Sequence, residues 1–158
     1  IEFTYDLIQR DKLSFDKSKN DHRVVTFHDS CNVARGSNMG DIENGQFILP
    51  REVIKAACNN FSDMHKSTIK SATFCCGGGG GLLTDDLIDL RIKGAKPRMH
   101  ALKQSEQDNG VNTLAAICAI CKSQFSKVLP NYDFDPYMIV SVHQLVSDAI
   151  ILTKDSET

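Results

Sequence analysis

Short runs of β-branched and aromatic residues alternate along this chain with longer stretches whose apolar residues recur at helical spacing. Residues 23–28, 71–74, 111–117 and 139–142 have the composition of strands. Residues 1–11 read as the end of a helix with Leu7 and Ile8 on its buried side. Residues 50–61 put Val53, Ile54, Ala57, Cys58 and Phe61 on one face, and Pro50 suits a first helical position, where its missing N–H does no harm. Thr84 before Asp85 and Asp86 reads as an N-cap with an acidic first turn. Leu87, Leu90 and Gly94 continue that helix on one face, and Pro97 predicts a kink or a restart before the segment ends near Gln107. Asn109-Gly110 and Pro136 predict turns. Residues 118–127 and 143–152 read as two further helices, and 16–21 and 32–45 as polar loops. A loop as long as the second is usually functional in a compact domain.

After the first helix the order is strand then helix, four times over. This predicts an α/β domain with a mostly parallel sheet of about four strands and flanking helices. At 158 residues the chain is one domain, long enough to bury its own core. With a net charge of −2 and no basic patch, no nucleic-acid partner is expected. The apolar stretch 114–121 is far too short to cross a bilayer, so no direct membrane insertion is expected either. The first residue, Ile1, falls inside an amphipathic segment, which reads as the C-terminal part of a longer chain lacking its N-terminal domain. Six cysteines with no export signal argue against a secreted disulfide framework and for metal ligation or redox chemistry in the cytoplasm.

The chemistry centres on Phe74-Cys75-Cys76-Gly77-Gly78-Gly79-Gly80-Gly81. Adjacent cysteines rarely pair with each other, because a disulfide needs separated Cα atoms and converging Cβ vectors. Successive bare N–H groups at Gly77, Gly78, Gly79 and Gly80 form a concave nest of the kind that binds anions, including the sulfides of iron–sulfur sites. A flexible linker is the other reading of the glycines, but linkers are normally Gly/Ser mixtures. Cys31, Cys75/Cys76 and Cys118/Cys121 each follow a predicted strand. Parallel sheets bind ligands outside the carboxyl ends of their strands, so five thiols converge on one edge. Cys58, on an apolar helix face, reads as a small buried hydrophobe outside the site. A structural zinc takes four ligands in two close pairs. An adjacent pair strains a single tetrahedral ion and suits a multi-iron cluster better. A redox-active Cys118-x-x-Cys121 pair would leave Cys75, Cys76 and the glycines unexplained.

The pattern Cys31, Cys75-Cys76-Gly77, Cys118-x-x-Cys121 resembles the CCG cysteine-rich domain of heterodisulfide-reductase-like proteins. More closely, His28-Asp29-Ser30-Cys31-Asn32-Val33-Ala34-Arg35-Gly36, residues 75–86 and Ala116-Ile117-Cys118-Ala119-Ile120-Cys121-Lys122-Ser123-Gln124-Phe125 resemble the C-terminal part of the DsrK family, the heterodisulfide-reductase-like subunits of the membrane complex DsrMKJOP. The resemblance covers nearly the whole chain. It departs in its spacings, with 43 residues between Cys31 and Cys75 and 41 between Cys76 and Cys118 (32–74 and 77–117), somewhat longer than the heterodisulfide reductase pattern. Ser30 stands where the family often has proline.

The resemblance implies that residues 1–158 are a single CCG-type domain with a noncubane 4Fe–4S cluster held by Cys31, Cys75, Cys76, Cys118 and Cys121. It implies as substrate the disulfide or trisulfide of the sulfur-carrier protein DsrC, whose cysteine-bearing arm reaches the cluster. Electrons would pass through cubane clusters of an N-terminal ferredoxin-like domain, whose C-x-x-C-x-x-C-x-x-x-C-P run this sequence lacks. Membrane subunits of the Dsr complex would attach the protein peripherally to the inner membrane. His28 and His143, at predicted strand ends, are candidate proton donors to the leaving thiolate, and each also reads as a structural histidine. Arg35 and Lys122 flank cluster cysteines and would balance charge or grip the carrier's carboxylate, with a solvated surface charge as the alternative. Two other readings stand beside this one. One is an assembly module with structural metal. The other is a CCG iron–sulfur subunit of a heterodisulfide reductase or of a lactate- or glycolate-oxidising enzyme, the last disfavoured by Ala119-Ile120 where those relatives usually carry proline and glycine.

Overall fold

In the computed structural model, which describes residues 1–152, the chain builds one parallel sheet from Val25–Phe27 (β1), Thr113–Ala116 (β2) and Ile139–Ser141 (β3), in that order across the sheet. The registers pair Thr26 with Leu114 and Ala115 with Val140. The apolar runs that mark β1 and β2 in the sequence are strands buried on both faces, as parallel strands between helix layers are. Alternate side chains feed two cores. On one face Val25, Phe27 and Ala115 meet Val53, Ile54 and Ala57 of α3 (Gly45–Ala57) and Val142 and Leu145 of α6 (Val142–Ala149). On the other, Leu114 meets Met99 and Leu102 of α4 (Ile88–Asn109) and Phe125 and Val128 of α5 (Ala119–Val128). Helix α1 (Glu2–Gln9) lays half-buried Tyr5 and Ile8 against the first core.

Three strands form where the sequence pattern predicts about four, and the missing one is 71–74. At Val25 the outer edge of β1 is taken by another segment: Val25 N–H donates to Asn60 O and Ser62 N–H to Val25 O, both at 2.9 Å. The backbone around 68–73 is held by side chains instead. Arg35 donates to Ser71 O at 3.0 Å and also to Thr73 O, Arg98 donates to Thr68 O at 2.5 Å, and Lys70 N–H donates to Asp29 Oδ2 at 2.7 Å. With those groups satisfied, the segment folds as two 3₁₀ turns, Lys66–Thr68 and Lys70–Ala72.

Other boundaries shift for similar reasons. The loop predicted over 32–45 begins as a short helix, α2 (Cys31–Gly36), which buries Ala34. Helix α3 starts at Gly45, so Pro50 is its sixth residue rather than its first. The early start depends on close packing, since a Cβ at position 45 would fall 1.9 Å from Met39 O. Pro97 does not divide α4, which runs unbroken for 22 residues to Gly110, its left-handed cap at the predicted Asn-Gly turn. Thr84 makes no side-chain cap bond, and Asp85 reaches Lys127 Nζ at 2.6 Å instead. Leu90 faces outward, and the inner face of α4 is Arg91, Ala95, Arg98, Met99, Leu102 and Ser105. Two arginines hold positions on an apolar stripe because both find partners inside.

A buried ion-pair network fixes the end of β1. Arg51 on α3 donates to both Asp29 oxygens at 2.8 Å, and its Nε to both oxygens of Asp63 at 3.0 and 2.9 Å. Burial works against the Arg51 charge, but the bonds to Asp29 and Asp63 outweigh it and hold the guanidinium's pKa above its ordinary value. Arg51→Met leaves a buried carboxylate without its cation. We expect it to lower the unfolding free energy by about 3–5 kcal/mol, read from urea denaturation, and a change under about 1 kcal/mol would show that the pair carries little of the fold.

Candidate metal centre

Cys31 is the first residue of α2, directly beyond β1, and Cys118 caps α5 directly beyond β2. Cys121 sits in the first turn of α5. These three lie at the carboxyl ends of neighbouring strands, where the sequence places them. Cys75 and Cys76 arrive on the strandless segment held by Asp29, Arg35 and Arg98. A cavity of about 430 Å³, open to solvent on one side, is lined by Cys31, Cys76, Cys118 and Cys121, with Gly78, Gly79, Gly80 and Gly81 forming another wall. That volume lies in the range of small-ligand sites.

Cys75 is not a wall residue of this cavity. Its sulfur lies beside Cys76 and Gly79 and accepts the Gly77 N–H at 3.3 Å. Cys76 in turn touches Cys121, so the three thiols form a row. Hydrogen bonding to Cys121 and burial push the Cys76 thiol up to about 12. Hydrogen bonding to Cys76 and burial push Cys75 above its usual value too. The amides of Gly77 and Gly79 pull Cys75 the other way, and that of Gly78 does the same for Cys76. Those amides favour anionic sulfur, which is what the nest reading of the glycines requires. Adjoining thiols cannot all ionise without a cation among them, so binding a metal here would release protons.

The glycines divide their work. Gly77 is forced by its surroundings: its φ is +92°, and a Cβ there would lie 2.3 Å from Arg91 O. Its role is the close approach of the loop to α4. A Cβ on Gly79 would lie 3.3 Å from Cys75 Sγ, whereas Gly80 and Gly81 face open space.

Of the charged candidates, Arg35 lines the cavity while two of its nitrogens bind the carbonyls of Ser71 and Thr73. Lys122, half-buried on α5, is not among the lining residues. Neither is His28 or His143. His28 is fully buried edge-on to Phe125, with ring centroids 4.8 Å apart and both ring nitrogens unpartnered. Burial, and then the charge of Arg98, keep its pKa well below the usual histidine value. His143 is exposed on the first turn of α6, its pKa lowered by partial desolvation. Cys58 lies at the end of α3 in the other core, where burial raises its thiol to about 11. All six cysteines are unpaired.

Sequence reasoning passed over Arg91, Arg98 and Gln124, all buried near the cysteine loop. The 91, 95, 98, 102 spacing that places both arginines on the inner stripe of α4 was the available signal. Among the described residues no three His, Cys, Asp or Glu side chains converge as ligands of one ion would. Four thiols lining a cavity and a fifth adjoining Cys76, with amides beside the sulfurs, fit a polynuclear iron–sulfur group better than a single zinc. Among the described residues no helix is long and apolar enough to cross a membrane.

The family model for the CCG cysteine-rich domain matches residues 25–126. The chain is 43% identical over 157 residues to the Hdr-like menaquinol oxidoreductase iron-sulfur subunit 2 of Archaeoglobus fulgidus, covering 99% of this chain and 27% of that protein. It is 41% identical, with the same coverage, to the Hdr-like menaquinol oxidoreductase iron-sulfur subunit of Archaeoglobus profundus. It is 29% identical over 150 residues to a subunit of the dihydromethanophenazine:CoB–CoM heterodisulfide reductase of Methanosarcina mazei, covering 94% of this chain and 32% of that protein. The chain thus spans about a quarter to a third of the curated relatives it matches. No solved structure matches it.

The contrast between Gly79 and Gly80 is testable. Gly79→Ala presses a methyl group on Cys75 Sγ and should lower the iron bound per protein after reconstitution. Gly80→Ala meets nothing and should keep its iron, at a cost of about 1–2 kcal/mol for a left-handed alanine. Equal iron content in both variants would leave the glycines with a role in chain geometry alone.

Proposed function

The chain belongs to the CCG cysteine-rich domain family, and on that footing we propose that it is the catalytic domain of an Hdr-like iron–sulfur oxidoreductase subunit, one that breaks or forms a sulfur–sulfur bond. The observation that carries the reading is the cavity walled by Cys31, Cys76, Cys118 and Cys121, with Cys75 adjoining Cys76. In this proposal the five thiolates hold a 4Fe–4S cluster of the noncubane kind. When bound, such a cluster supplies electrons to a sulfur substrate, two electrons and two protons converting one disulfide into two thiols.

The chain's own residues bind, shield and admit. Deprotonated Cys31, Cys75, Cys76, Cys118 and Cys121 supply the soft donors iron prefers. The Gly77, Gly78 and Gly79 amides beside the sulfurs offset negative charge and so ease reduction. A substrate sulfur is proposed to approach through the open side of the cavity, which Ile120 and Arg35 also line. His28 and His143 are set back from the wall, so protons are proposed to arrive from solvent through the same opening.

The finer proposal follows the DsrK resemblance. The substrate is the disulfide or trisulfide on the cysteine-bearing arm of the carrier DsrC, with Arg35, and Lys122 beside Cys121, gripping a carboxylate of that arm. Two of the relatives carry menaquinol in their names. We accordingly propose exchange of electrons with a quinol-reactive membrane partner, through cubane clusters elsewhere in the full-length protein, and peripheral attachment on the cytoplasmic side.

Serine in place of cysteine separates ligand from bystander. Cys76→Ser should abolish or convert the cluster, seen as a fall in iron and acid-labile sulfide and an altered paramagnetic signal after oxidation. Cys58→Ser should keep full iron content and lose about 1–3 kcal/mol of stability by burying an unpaired hydroxyl. Full iron in Cys76→Ser, or its loss in Cys58→Ser, would reverse the assignment.

A further inference from the structure

Three buried arginines differ in what balances their charge. Arg51 is held by two carboxylates. Arg91 has Asp85 at 3.7 Å and donates to Gln124 Oε1 and the carbonyls of Leu83 and Thr84. Arg98 has no exposed surface and, among the described residues, no carboxylate within ion-pair distance. Its bonds all go to neutral groups: Nη1 to Met64 Sδ at 2.9 Å, and Nη2 to Thr68 O at 2.5 Å and Thr73 Oγ1 at 2.8 Å. Its Nε has no partner. Phe74 covers it, with the ring centroid 5.8 Å from the guanidinium carbon.

A cation removed from water needs an anion close by. Arg98 bonds Thr73 and lies over Phe74, the two residues just before Cys75, and its helix neighbours Ala95 and Met99 share one core with Cys76 and Cys121, so the acidic groups that act on it are Asp29, Cys121 and Cys76. Asp29 already has both oxygens bonded by Arg51. What remains is the pair of buried thiols at the cavity wall. Uncompensated burial shows in the guanidinium itself, which desolvation lowers to about 10.

We propose that Arg98 is the internal counter-ion of the group held by Cys76 and Cys121, and that its fixed positive charge raises the potential at which that group takes up an electron. This rests on the reading that the thiols hold an iron–sulfur cluster. Arg98 is a positioning residue in this role: it lies behind the cavity wall, touches no substrate, and acts through the field at the two sulfurs. A positive charge in a low-dielectric interior stabilises the added electron and is screened little by salt. The same side chain orders the segment before Cys75 through Thr68 and Thr73, so the chain that delivers Cys76 also fixes the distance from the charge to it.

The test uses the full-length iron–sulfur protein, reconstituted without oxygen, with the midpoint potential read by redox titration and electron paramagnetic resonance. Arg98→Gln and Arg98→Met remove the charge, the second keeping an apolar stem against Phe74, while Arg98→Lys keeps the charge. Both neutral variants should bind iron and shift the oxidised-to-reduced ratio at the wild-type midpoint at least tenfold toward the oxidised form, about 59 mV lower for a one-electron couple. Arg98→Lys should stay near the wild-type value. A neutral variant with an unchanged midpoint, or Arg98→Lys shifting as far as the neutral pair, would overturn the proposal. So would unfolding of both neutral variants in metal-free protein, which would assign Arg98 to the fold. Wild-type protein that takes up no iron would instead sink the cluster reading beneath it.

Discussion

The Asp29 carboxylate holds together the three pieces of chain on which the site depends. Both oxygens receive Arg51, tying the end of β1 to α3, and one also accepts Lys70 N–H. The Asp29 carbonyl accepts the Thr73 hydroxyl at 2.7 Å. Cys31 lies two residues beyond Asp29, and Cys75 two residues beyond Thr73. Two cysteine-bearing segments far apart in sequence are therefore set against each other by bonds to one residue. A sheet ladder usually does this in parallel α/β domains. Here the segment before Cys75 has no strand, and buried side chains replace the ladder.

From that anchor the glycine loop is pressed against α4. The Gly77 backbone meets Arg91 O and the Ala95 amide so closely that no side chain fits, and Gly94 presents no side chain to it from the helix. The loop then turns its amides toward the sulfurs of Cys75 and Cys76. Close packing on one side of the loop thus sets the donor geometry on the other. Among the buried polar atoms without protein partners are those of Ser30, which lines the cavity, and Gln124, which lies against Gly77 and Gly78. Such atoms are costly in a core that serves stability alone, and these two stand at the cavity and its glycine wall.

The near-neutral composition hides this distribution. A net charge of −2 says nothing of three buried guanidinium groups, two of them on one face of a single helix. Helix α4 reads as a polar surface helix by composition, and its arginines instead reach inward to carbonyls, a thioether and a hydroxyl. The same helix therefore packs the second core and carries two buried guanidinium groups beside the cysteine loop.

Some features of this protein followed from sequence alone, because they rest on neighbours along the chain. The alternation of strands and helices, the parallel sheet, the Cys118-x-x-Cys121 pair at the start of α5, the turn at Asn109-Gly110 and the burial of Cys58 are of this kind. Period, cap chemistry and apolar spacing suffice for them. Other features depended on partners that local pattern does not contain. Residues 71–74 look like a strand until Asp29, Arg35 and Arg98 satisfy their backbone from the side. Pro50 and Pro97 look like helix limits until tertiary packing holds α3 and α4 through them. His28 and His143 look like residues of the cavity edge, but one side chain is turned into the core beside Phe125 and the other stands exposed on α6. Whether a polar group in this chain is solvated, paired or held ready for a bound ion was decided only by what the fold brings within hydrogen-bonding distance of it.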